Sequence, residues 1–402
     1  MNKFLIKIQN LTKQFENNNS VIKVLKNQSL QLIDGPKVKQ LEKKVCDLFG
    51  KKHGLMVNSG SSANLLGLAS LDLKKGSEII TPTLTFSTTV APMYQLGLIP
   101  HFIDVTKNSF VADIDQIKSA ITKKTKAIMI PNLLGNVPNW KKIYQIARKH
   151  NLKIIEDSAD TIGYKINGKN FGYCSDITTN SMYASHIITG AGFGGMVCFN
   201  DKKLYDKAKL LRGWGRSSAV FNESEGIKKR FSTKVDGIPY DGKYIFQDIG
   251  YNFLPSEVCA AFASVQLKKL SKNIQKRIFN FEFLRSFFAK YPDLFDLPVQ
   301  LKGLRTPWLA YPVIIKNKLI NRQKLQIFLE KTGIQTRTIF TGNILRQPIM
   351  KKRKYKKIKI SEINSNNVMK NGILIGCHHG LSMNDLRYIK KNFEKFIKKI
   401  PR

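Results

Sequence analysis

The sequence is poor in cysteine and has no cysteine pair of the CxxC type. Its 402 residues contain five cysteines, scattered as Cys46, Cys174, Cys198, Cys259 and Cys377. This spacing excludes a small disulfide-stapled scaffold and offers no zinc-ligand pattern. We therefore expect the cysteines to be small buried apolar residues of a protein in a reducing compartment.

Long apolar runs are also missing. No apolar stretch reaches the roughly 18 residues that a membrane-spanning helix needs. The N-terminal stretch "MNKFLIKIQNLTKQFENNN" has no small-residue cleavage pattern. Hydrophobic residues nevertheless make up 42% of the chain, and the length suits two domains that share a sizeable core. These features predict a cytoplasmic globular protein without a membrane partner.

Acidic residues are scarce relative to basic ones. The chain has 28 Asp and Glu against 67 Lys and Arg, a formal net charge of +39. No RNP, zinc-finger or helix-turn-helix pattern accompanies this charge, so we expect no nucleic-acid partner. Two explanations stay open. Either the composition is biased towards Lys, Ile and Asn on a solvated surface, or the basic surface attracts an anionic ligand.

Between about residue 50 and residue 200, short apolar runs alternate with amphipathic segments. For example, "SEIITPTLTF" precedes "VAPMYQLG", and "KAIMIPNLLG" precedes "NWKKIYQIARKHN". This alternation predicts an α/β fold with a parallel, helix-covered sheet. After Asn252 the pattern changes to one long helix, with Ser256 as its N-cap, followed by a strand–helix–strand set. We therefore predict a large domain over 1–252 and a small α+β domain over 253–402.

Three stretches near predicted strand ends carry candidate binding residues. The serines of "NSGSSANLLGL", at 58–68, lie between a strand and a helix, where free backbone N–H groups bind phosphate. "IIEDSAD" places Glu156, Asp157 and Asp160 at the edge where α/β sheets bind ligands. Phe86 follows another strand and either stacks on a planar ring or fills the core. Helix capping is the ordinary alternative for the serines and the acids.

Together these stretches resemble the DegT/DnrJ/EryC1/StrS family of sugar aminotransferases, which are pyridoxal phosphate (PLP) enzymes of fold type I. The similarity runs over almost the whole chain and includes "GPKVKQLEKK", "SGSSANLLGL", "IIEDSADTIG", "SMYASH" and "GYNFLPSEVCAAFASVQLKKL". The resemblance implies a mostly parallel, seven-stranded-type sheet with flanking helices and a smaller C-terminal α+β domain.

The resemblance also implies how the cofactor is bound. Ser61, Ser62 and Ser181 would hold its phosphate, Phe86 would stack on its pyridine ring, and Asp157 would pair with the ring nitrogen. A carboxylate beside that nitrogen keeps it protonated and strengthens the ring as an electron sink.

One position departs from the ordinary family pattern. Ordinary members carry a lysine five residues after the Ser181 position, and this lysine binds the cofactor covalently. Here the residue is His186, and no lysine occurs between Lys169 and Lys202. Imidazole forms no stable bond of that kind with an aldehyde, but it moves protons near neutral pH, because an unperturbed histidine titrates at about 6.5.

Histidine at this place resembles the deoxysugar 3-dehydratases of the family. The resemblance implies a nucleotide-diphosphate 4-keto-6-deoxy sugar as substrate, in deoxysugar and lipopolysaccharide biosynthesis. Pyridoxamine phosphate (PMP) condenses with the sugar, the histidine removes a proton from the cofactor, and the 3-hydroxyl is expelled. L-Glutamate is the expected amino donor. His186 is thus the predicted catalytic base, and Asp160 is a second candidate for proton transfer or sugar binding.

Two alternatives to the dehydratase stay open. A sugar aminotransferase of the same family would deliver an amino sugar and keep the 3-hydroxyl. A sugar-binding homologue without catalysis would bind the nucleotide sugar and release it unchanged.

The nucleotide of the substrate also stays open. The CDP-sugar dehydratases carry a [2Fe–2S] cluster on cysteines just after the "GWGR" segment, and this chain has no cysteine between Cys198 and Cys259. Because a cluster needs four thiolates or close substitutes, we expect no iron–sulfur cluster, and no metal site is predicted. This favours the glutamate-dependent GDP-sugar type, whereas "GNILRQPIM" and "KKRFSTKVDGIPYDGKYIF" are more similar to the CDP-sugar type.

Further residues are candidates for contacts with the substrate. Arg212, Arg216 and Arg337 are predicted to contact the diphosphate or the sugar, although ordinary surface arginines are an even alternative. His378 belongs to "NGILIGCHHGLS", a dehydratase-like segment.

Two features of the family pattern concern the partner subunit and the glycine loop. The resemblance implies that Asn252 reaches the phosphate of the neighbouring subunit's cofactor, and hence a homodimer. The acidic residue of the family's glycine loop is missing, since "TGAGFGG" has Phe193 and one extra residue. We expect this loop to lie differently beside the cofactor.

Overall fold

The computed structural model describes residues 32–220, 227–358 and 363–400, except for the side chain of Lys229. The α-helices of this part are α1 (Pro36–Phe49), α2 (Gly60–Ala69), α3 (Ser87–Gln95), α4 (Ile114–Ala120), α5 (Trp140–Lys149), α6 (Lys202–Arg212), α7 (Ile227–Phe231), α8 (Glu257–Lys268), α9 (Leu270–Phe288), α10 (Arg322–Lys331), α11 (Ile363–Asn371) and α12 (Met383–Ile397). Short 3₁₀-helices lie at Leu133–Gly135, Gly172–Cys174, Ser217–Val220, Gly242–Tyr244, Ile344–Arg346 and Pro348–Lys352.

The strands alternate with these helices in the first half of the chain and are shorter in the second. They are β1 (His53–Val57), β2 (Glu78–Pro82), β3 (Ile99–Ile103), β4 (Thr125–Pro131), β5 (Lys153–Asp157), β6 (Lys165–Ile166), β7 (Ile177–Ser181), β8 (Gly195–Phe199), β9 (Thr233–Val235), β10 (Ile238–Tyr240), β11 (Phe295–Asp296), β12 (Leu304–Arg305), β13 (Tyr311–Ile315), β14 (Thr336–Arg337), β15 (Lys356–Lys357) and β16 (Gly372–Ile375).

The main sheet has eight strands in the order β1-β8-β7-β5-β4-β2-β3-β15. Only β8 runs against its neighbours, β1 and β7, while the remaining pairs are parallel. Seven strands of ordinary length are thus joined by one two-residue strand at the edge. The predicted mostly parallel, helix-covered sheet is confirmed.

Alternation along β5 decides which side chains reach the site. Ile154 packs into the core on the α4 and α5 face of the sheet, and Ile155 packs into the core on the α2 and α6 face. Because successive residues of a strand point to opposite faces, Glu156 follows Ile154 and Asp157 follows Ile155. The two neighbouring carboxylates therefore have different surroundings.

Helix α1 is capped by a side chain from a distant helix. Pro36 occupies its first turn, and the next two backbone N–H groups, of Lys37 and Val38, donate to the carboxylate of Glu257 at 2.9 and 2.8 Å. These N–H groups have no partner within the helix itself. Glu257 thereby ties the start of α1 to the start of α8.

The predicted single long helix after Asn252 is two helices, α8 and α9, that meet at Lys269. The predicted N-cap is confirmed, since the Ser256 hydroxyl accepts from the Val258 N–H at 3.2 Å. At Lys269 the backbone N–H donates to Gln266, only three residues back, at 3.0 Å. This tighter turn ends α8, and α9 begins directly after it.

The second half of the chain contains a four-stranded sheet, β11-β13-β16-β14, but it does not form a separate core. Its hydrophobic core includes Leu84, Val105 and Leu133 from the first half. Strand β15 adds to the edge of the main sheet beside β3. Packing therefore continues across the predicted boundary at residue 252, and the division into two domains stays a prediction.

Four of the five cysteines are buried as free thiols, and Cys259 is partly buried. Within the described ranges, no group of three His, Cys, Asp or Glu side chains is arranged as metal ligands would be. No helix there combines the length and the apolar character needed to cross a bilayer.

Candidate active site

The N-terminus of α2 forms a cradle of small polar groups. Ser59 caps the helix, because its hydroxyl accepts from the Ser62 N–H at 3.0 Å. Ser61 is exposed and Ser62 half-buried in the first turn. Ser181, at the end of β7, lies directly against this turn: a Cβ added to Gly60 would be 2.5 Å from the Cβ of Ser181. Free N–H groups, hydroxyls and the helix dipole together suit a phosphate.

Asp157 is a buried carboxylate without a cationic partner among the described residues. Its Oδ2 accepts from Asn64 Nδ2 and from Thr89 Oγ1, both at 2.8 Å, and its Oδ1 accepts from the Ala159 N–H at 3.1 Å. Burial raises the pKa of Asp157, and the two side-chain hydrogen bonds oppose that rise. A buried carboxylate of this kind is stabilised by a protonated ring nitrogen.

Phe86 is the N-cap residue of α3 and is 50% exposed. Its ring makes an edge-to-face pair with the ring of Phe340, at 5.9 Å between centroids. A half-exposed aromatic ring offers a face for stacking, and its stacking on a cofactor ring stays a prediction.

These three features fit PLP or PMP. The cradle supplies donors for a phosphate, and Phe86 offers a ring face. Asp157 has no cationic partner among the described residues, and a pyridinium would be one. Asn64 and Thr89, which orient the Asp157 carboxylate, were not predicted from the sequence. They lie 93 and 68 residues from Asp157 along the chain, so no local pattern connects them with it.

His186 lies in the turn after β7 and is largely buried. Its Nδ1 is 3.4 Å from the carbonyl oxygen of Ser181, and its Nε2 is 3.9 Å from Oδ1 of Asp160. Because a carbonyl can only accept, Nδ1 carries the proton of the neutral ring and Nε2 keeps its lone pair. Burial lowers the pKa of His186 to about 4, and the positive charge of Arg277 also lowers it. The imidazole is therefore neutral at physiological pH.

Asp160 is held in place from the loop after β4. Its Oδ2 accepts from the Leu134 N–H at 2.8 Å, and Leu134 adopts a left-handed backbone conformation with φ of 59°. Burial raises the pKa of Asp160 to about 7, against the effect of the Leu134 hydrogen bond. The pair with His186 is thus a neutral imidazole beside a carboxyl that exchanges its proton near neutrality, and not a permanent ion pair.

The loop that holds Asp160 is itself anchored by Asn132. The Asn132 N–H donates to the carbonyl of Asp157 at 2.8 Å, and its amide donates to the Ser158 hydroxyl at 2.6 Å and to Glu156 at 2.8 Å. Trp140 donates from its indole to the Asn132 side-chain oxygen at 3.0 Å. These bonds hold the chain ends of β4 and β5 together. They fix Asp157 and Asp160 relative to each other.

Arg216 has an aromatic environment. Its guanidinium lies over the rings of Trp214, Tyr244 and Phe246, at 4.4, 5.4 and 5.6 Å from their centroids. Stacking fixes the plane of the guanidinium and leaves its edge for hydrogen bonds. Its position fits the predicted anion contact.

Arg212 does not fit the predicted substrate contact. It is buried, with ion pairs to Asp34 at 2.5 Å and to Glu42 at 3.5 Å and a hydrogen bond to the carbonyl of Met56 at 2.8 Å. These partners use its donors inside the protein. We therefore assign Arg212 to the attachment of α1 and β1 rather than to the substrate.

The other predicted contacts lie on exposed positions. Arg337, on β14, donates to the carbonyl of Thr336 at 2.6 Å and points largely to solvent. His378, in the exposed loop after β16, accepts from the Gly380 N–H at 3.2 Å. Asn252 is exposed and pairs through its backbone with Gly213. Within the described part of the chain, His186 pairs with Ser181 and Asp160 and with none of these three residues.

The glycine loop lies beside the His186 turn. Gly190 donates from its N–H to the carbonyl of Met182 at 2.9 Å, and Gly194 donates to Asn58 at 2.9 Å. Phe193, at the position where an acid was expected, is 68% exposed. The loop thus presents an aromatic surface at the rim of the site.

Comparison with known proteins agrees with this geometry. The model of the DegT/DnrJ/EryC1/StrS aminotransferase family matches residues 12–394. The chain belongs to this family.

Relatives within the DegT/DnrJ/EryC1/StrS family carry dehydratase names. GDP-4-keto-6-deoxy-D-mannose 3-dehydratase of Yersinia pseudotuberculosis is 35% identical, over 86% of this chain and 87% of that protein. dTDP-4-dehydro-2,6-dideoxy-D-glucose 3-dehydratase of Saccharopolyspora spinosa is 34% identical, over 92% and 82%. A crystal structure of GDP-4-keto-6-deoxymannose-3-dehydratase with a trapped PLP-glutamate geminal diamine superposes with a TM-score of 0.82 at 31% identity, over 93% of this chain and 96% of that one.

Proposed function

We propose that this chain is a PLP/PMP-dependent 3-dehydratase of a nucleotide-linked 4-keto-6-deoxy sugar, in deoxysugar biosynthesis of the lipopolysaccharide type. The single observation that carries the proposal is His186. A neutral histidine stands at the family's lysine position, and the chain keeps candidate residues for the phosphate, the ring nitrogen and the ring face of the cofactor. Relatives with 3-dehydratase names support the same assignment.

The cofactor would be held without a covalent bond. Ser61, Ser62 and Ser181 would bind its phosphate, Asp157 would bind the ring nitrogen, and Phe86 would cover one face of the ring. When bound as PMP, the cofactor would supply an amine for the 4-keto carbon and a conjugated ring that can accept electrons.

His186 acts as the base through Nε2. The Nδ1–H faces the Ser181 carbonyl, so the lone pair of Nε2 is directed away from the backbone and towards Asp160. A base with a pKa of about 4 is unprotonated at physiological pH. Negative charge that develops on the cofactor as it loses a proton would favour the protonated imidazole. This suits His186 to proton transfer.

Asp160 assists this transfer. With a pKa near 7 its carboxyl both holds and releases a proton at physiological pH, and it lies within one small displacement of hydrogen-bond distance from Nε2. The carboxyl of Asp160 therefore orients the imidazole, and its ionised form offsets the positive charge of the protonated ring.

The amino donor in the proposal is L-glutamate, and the substrate class is the nucleoside diphosphate sugar. Arg216 is the proposed diphosphate contact, with its guanidinium held flat by three rings. Arg337 and His378 stay proposed sugar or nucleotide contacts from the exposed small-domain edge.

The proposal includes a cytoplasmic homodimer in which Asn252 reaches the partner's cofactor phosphate. Exposed apolar side chains near Asn252 support it. Ile249 is 91% exposed, and the hairpin of β9 and β10 exposes Val235, Ile238 and Tyr240. Exposed apolar groups concentrated in one segment are typical of a contact surface.

Incubation with PLP, glutamate and a 4-keto-6-deoxy nucleotide sugar tests the function. We expect 2-oxoglutarate and a sugar that has lost the 3-hydroxyl, detected by mass spectrometry with GDP-, CDP- and dTDP-linked substrates in parallel. An amino sugar that keeps the 3-hydroxyl would identify an aminotransferase. Binding without turnover of any substrate would identify a non-catalytic homologue.

A further inference from the structure

Arg277 on α9 is a buried positive charge that no described carboxylate neutralises. The residue is 2% exposed. Its Nη1 donates to the carbonyl oxygens of Trp308 and Leu309, at 3.1 and 3.0 Å, and its Nε has no hydrogen-bond partner. Carbonyl oxygens are neutral acceptors, and arginine stays protonated in proteins. Because a buried uncompensated charge is costly, this arrangement indicates an anion that the protein binds.

A second donor lies beside Arg277. The loop after β16 is fixed to α9 by Asn280, whose amide donates to the carbonyls of Cys377 and His378 at 3.4 and 2.8 Å. Cys377 also donates from Sγ to the Trp308 carbonyl, which is an acceptor of Arg277. The next ring in this loop, His379, has a buried Nδ1 without a partner.

The electrostatics of His379 agree with this position. Burial lowers the pKa of His379 to about 4, and the charge of Arg277 is the next cause. Its ring is therefore neutral and has one N–H to donate. One buried charged group and one partly buried neutral donor thus lie close together.

Arg277 and His379 lie on the same side of the fold as His186. Ile274, one turn before Arg277, shares a hydrophobic cluster with Ile187, the neighbour of His186, and with Leu309, whose carbonyl binds Arg277. The charge of Arg277 also contributes to the low pKa of His186. A ligand group at Arg277 therefore lies near the base.

We propose that Arg277 and His379 form a subsite for a carboxylate of the amino donor, a dicarboxylic amino acid of the glutamate type. The assignment rests on the proposed function, in which glutamate delivers the amino group. One guanidinium with one neutral donor matches the single charge of a carboxylate. A diphosphate would bring more negative charge to this place than Arg277 can offset, and it suits the partly exposed Arg216 better.

Calorimetric titration of the cofactor-free protein tests the subsite without turnover. The ligands are 2-oxoglutarate and, separately, GDP and CDP. Arg277→Met and His379→Asn should each weaken 2-oxoglutarate binding by at least about tenfold, the effect of one lost charged hydrogen bond, and leave GDP and CDP binding unchanged. The matched control is Arg285→Met, two turns further along α9, where the arginine is exposed and pairs with Glu282.

With PLP present, the same two variants should raise the glutamate concentration needed for half-maximal formation of PMP. His379→Asn leaves the Arg277 bonds to Trp308 and Leu309 intact, so we expect it to weaken ligand binding without destabilising the fold. The melting temperature of each variant checks its stability. Unchanged 2-oxoglutarate affinity in both variants overturns the subsite. Loss of GDP or CDP affinity with unchanged 2-oxoglutarate affinity also overturns it, since the anion would then be the diphosphate.

The titration with 2-oxoglutarate can be interpreted whether or not the protein is a dehydratase. If PMP supplied directly to the wild-type protein gives no dehydration of any keto sugar, the proposed function fails, and the oxo-acid titration still decides whether Arg277 and His379 bind a carboxylate.

Discussion

The imidazole of His186 and the carboxyl of Asp160 face each other, with Nε2 3.9 Å from Oδ1. Burial displaces their pKa values in opposite directions, to about 4 for the histidine and about 7 for the aspartic acid. In the resting protein the imidazole is therefore neutral, and the Asp160 carboxyl gains and loses its proton near pH 7. Such a pair is ready to accept a proton and has no need of a covalent bond to the cofactor.

Asp160→Asn should make the cofactor-free protein more stable at alkaline pH and leave its stability at acidic pH unchanged. The folded-state pKa of Asp160 is raised from 3.8 to about 7. Ionisation therefore costs folding free energy that is absent below about pH 4, grows between about pH 4 and 7, and is complete above about pH 7. At about 1.4 kcal/mol per pKa unit, the gain at alkaline pH is at most about 4 kcal/mol.

Urea unfolding of both proteins at the two ends of this pH range measures the difference. Asp72→Asn, at a largely exposed position, is the control and should show no pH-dependent gain. An equal stability change for Asp160→Asn at both pH values would contradict the raised pKa.

Asp157→Asn should weaken cofactor binding far more than folding. An amide cannot neutralise a protonated ring nitrogen, yet it can still bond to Asn64 and Thr89. We expect the PLP dissociation constant to rise by at least about tenfold, since the loss of one charged hydrogen bond costs roughly 1.5–3 kcal/mol. Absorbance titration with PLP and the melting temperature of the cofactor-free protein check this. Wild-type PLP affinity in the variant would remove Asp157 from the ring nitrogen.

Gly60→Ala should damage the phosphate cradle selectively. The new Cβ would lie 2.5 Å from the Cβ and 2.8 Å from the Oγ of Ser181, so Ser181 must move. We expect PLP affinity to fall while the affinity for pyridoxal, which lacks the phosphate, changes little. Gly67→Ala, in the same helix, is the control, because its nearest neighbour is 3.2 Å away at Ile177. Equal losses for PLP and pyridoxal would speak against the cradle.

Ile249→Asp should disrupt the proposed homodimer. A charge replaces an exposed apolar side chain near Asn252, and burying it against a partner without a counter-charge is unfavourable. Sedimentation velocity should show a dimer for the wild type and a monomer for the variant, with PLP affinity reduced in the monomer. Ile327→Asp, on α10, serves as the control at another exposed isoleucine. A wild-type monomer would refute the dimer directly.

Local patterns predicted the parts of the fold and site that depend on neighbouring residues. The strand–helix alternation predicted the parallel sheet, and Ser256 marked the start of α8. The strand ends placed Asp157 and Phe86 at the same edge as the serines of α2. The break at Lys269 was not predicted, because both helices have compatible patterns and the difference lies in one tight turn.

The side-chain interactions that the sequence did not predict join residues that lie far apart along the chain. Arg212 follows a helix end and fitted a substrate contact, but its partners Asp34 and Glu42 are 178 and 170 residues away. Asn64 and Thr89 lie 93 and 68 residues from Asp157 along the chain and were missed for the same reason. The opposite pKa shifts of His186 and Asp160 arise from burial, which only the folded chain defines.

The most direct test of the account is a single-turnover comparison of wild type and His186→Asn, each loaded with PMP and mixed with a 4-keto-6-deoxy nucleotide sugar. Loss of the 3-hydroxyl is followed by mass spectrometry, and cofactor occupancy is followed by absorbance. We expect His186→Asn to bind PMP normally and to dehydrate the sugar at least about 100-fold more slowly, the usual contribution of a general base. Dehydration at the wild-type rate by the PMP-loaded variant would contradict the role of His186 and the mechanism built on it.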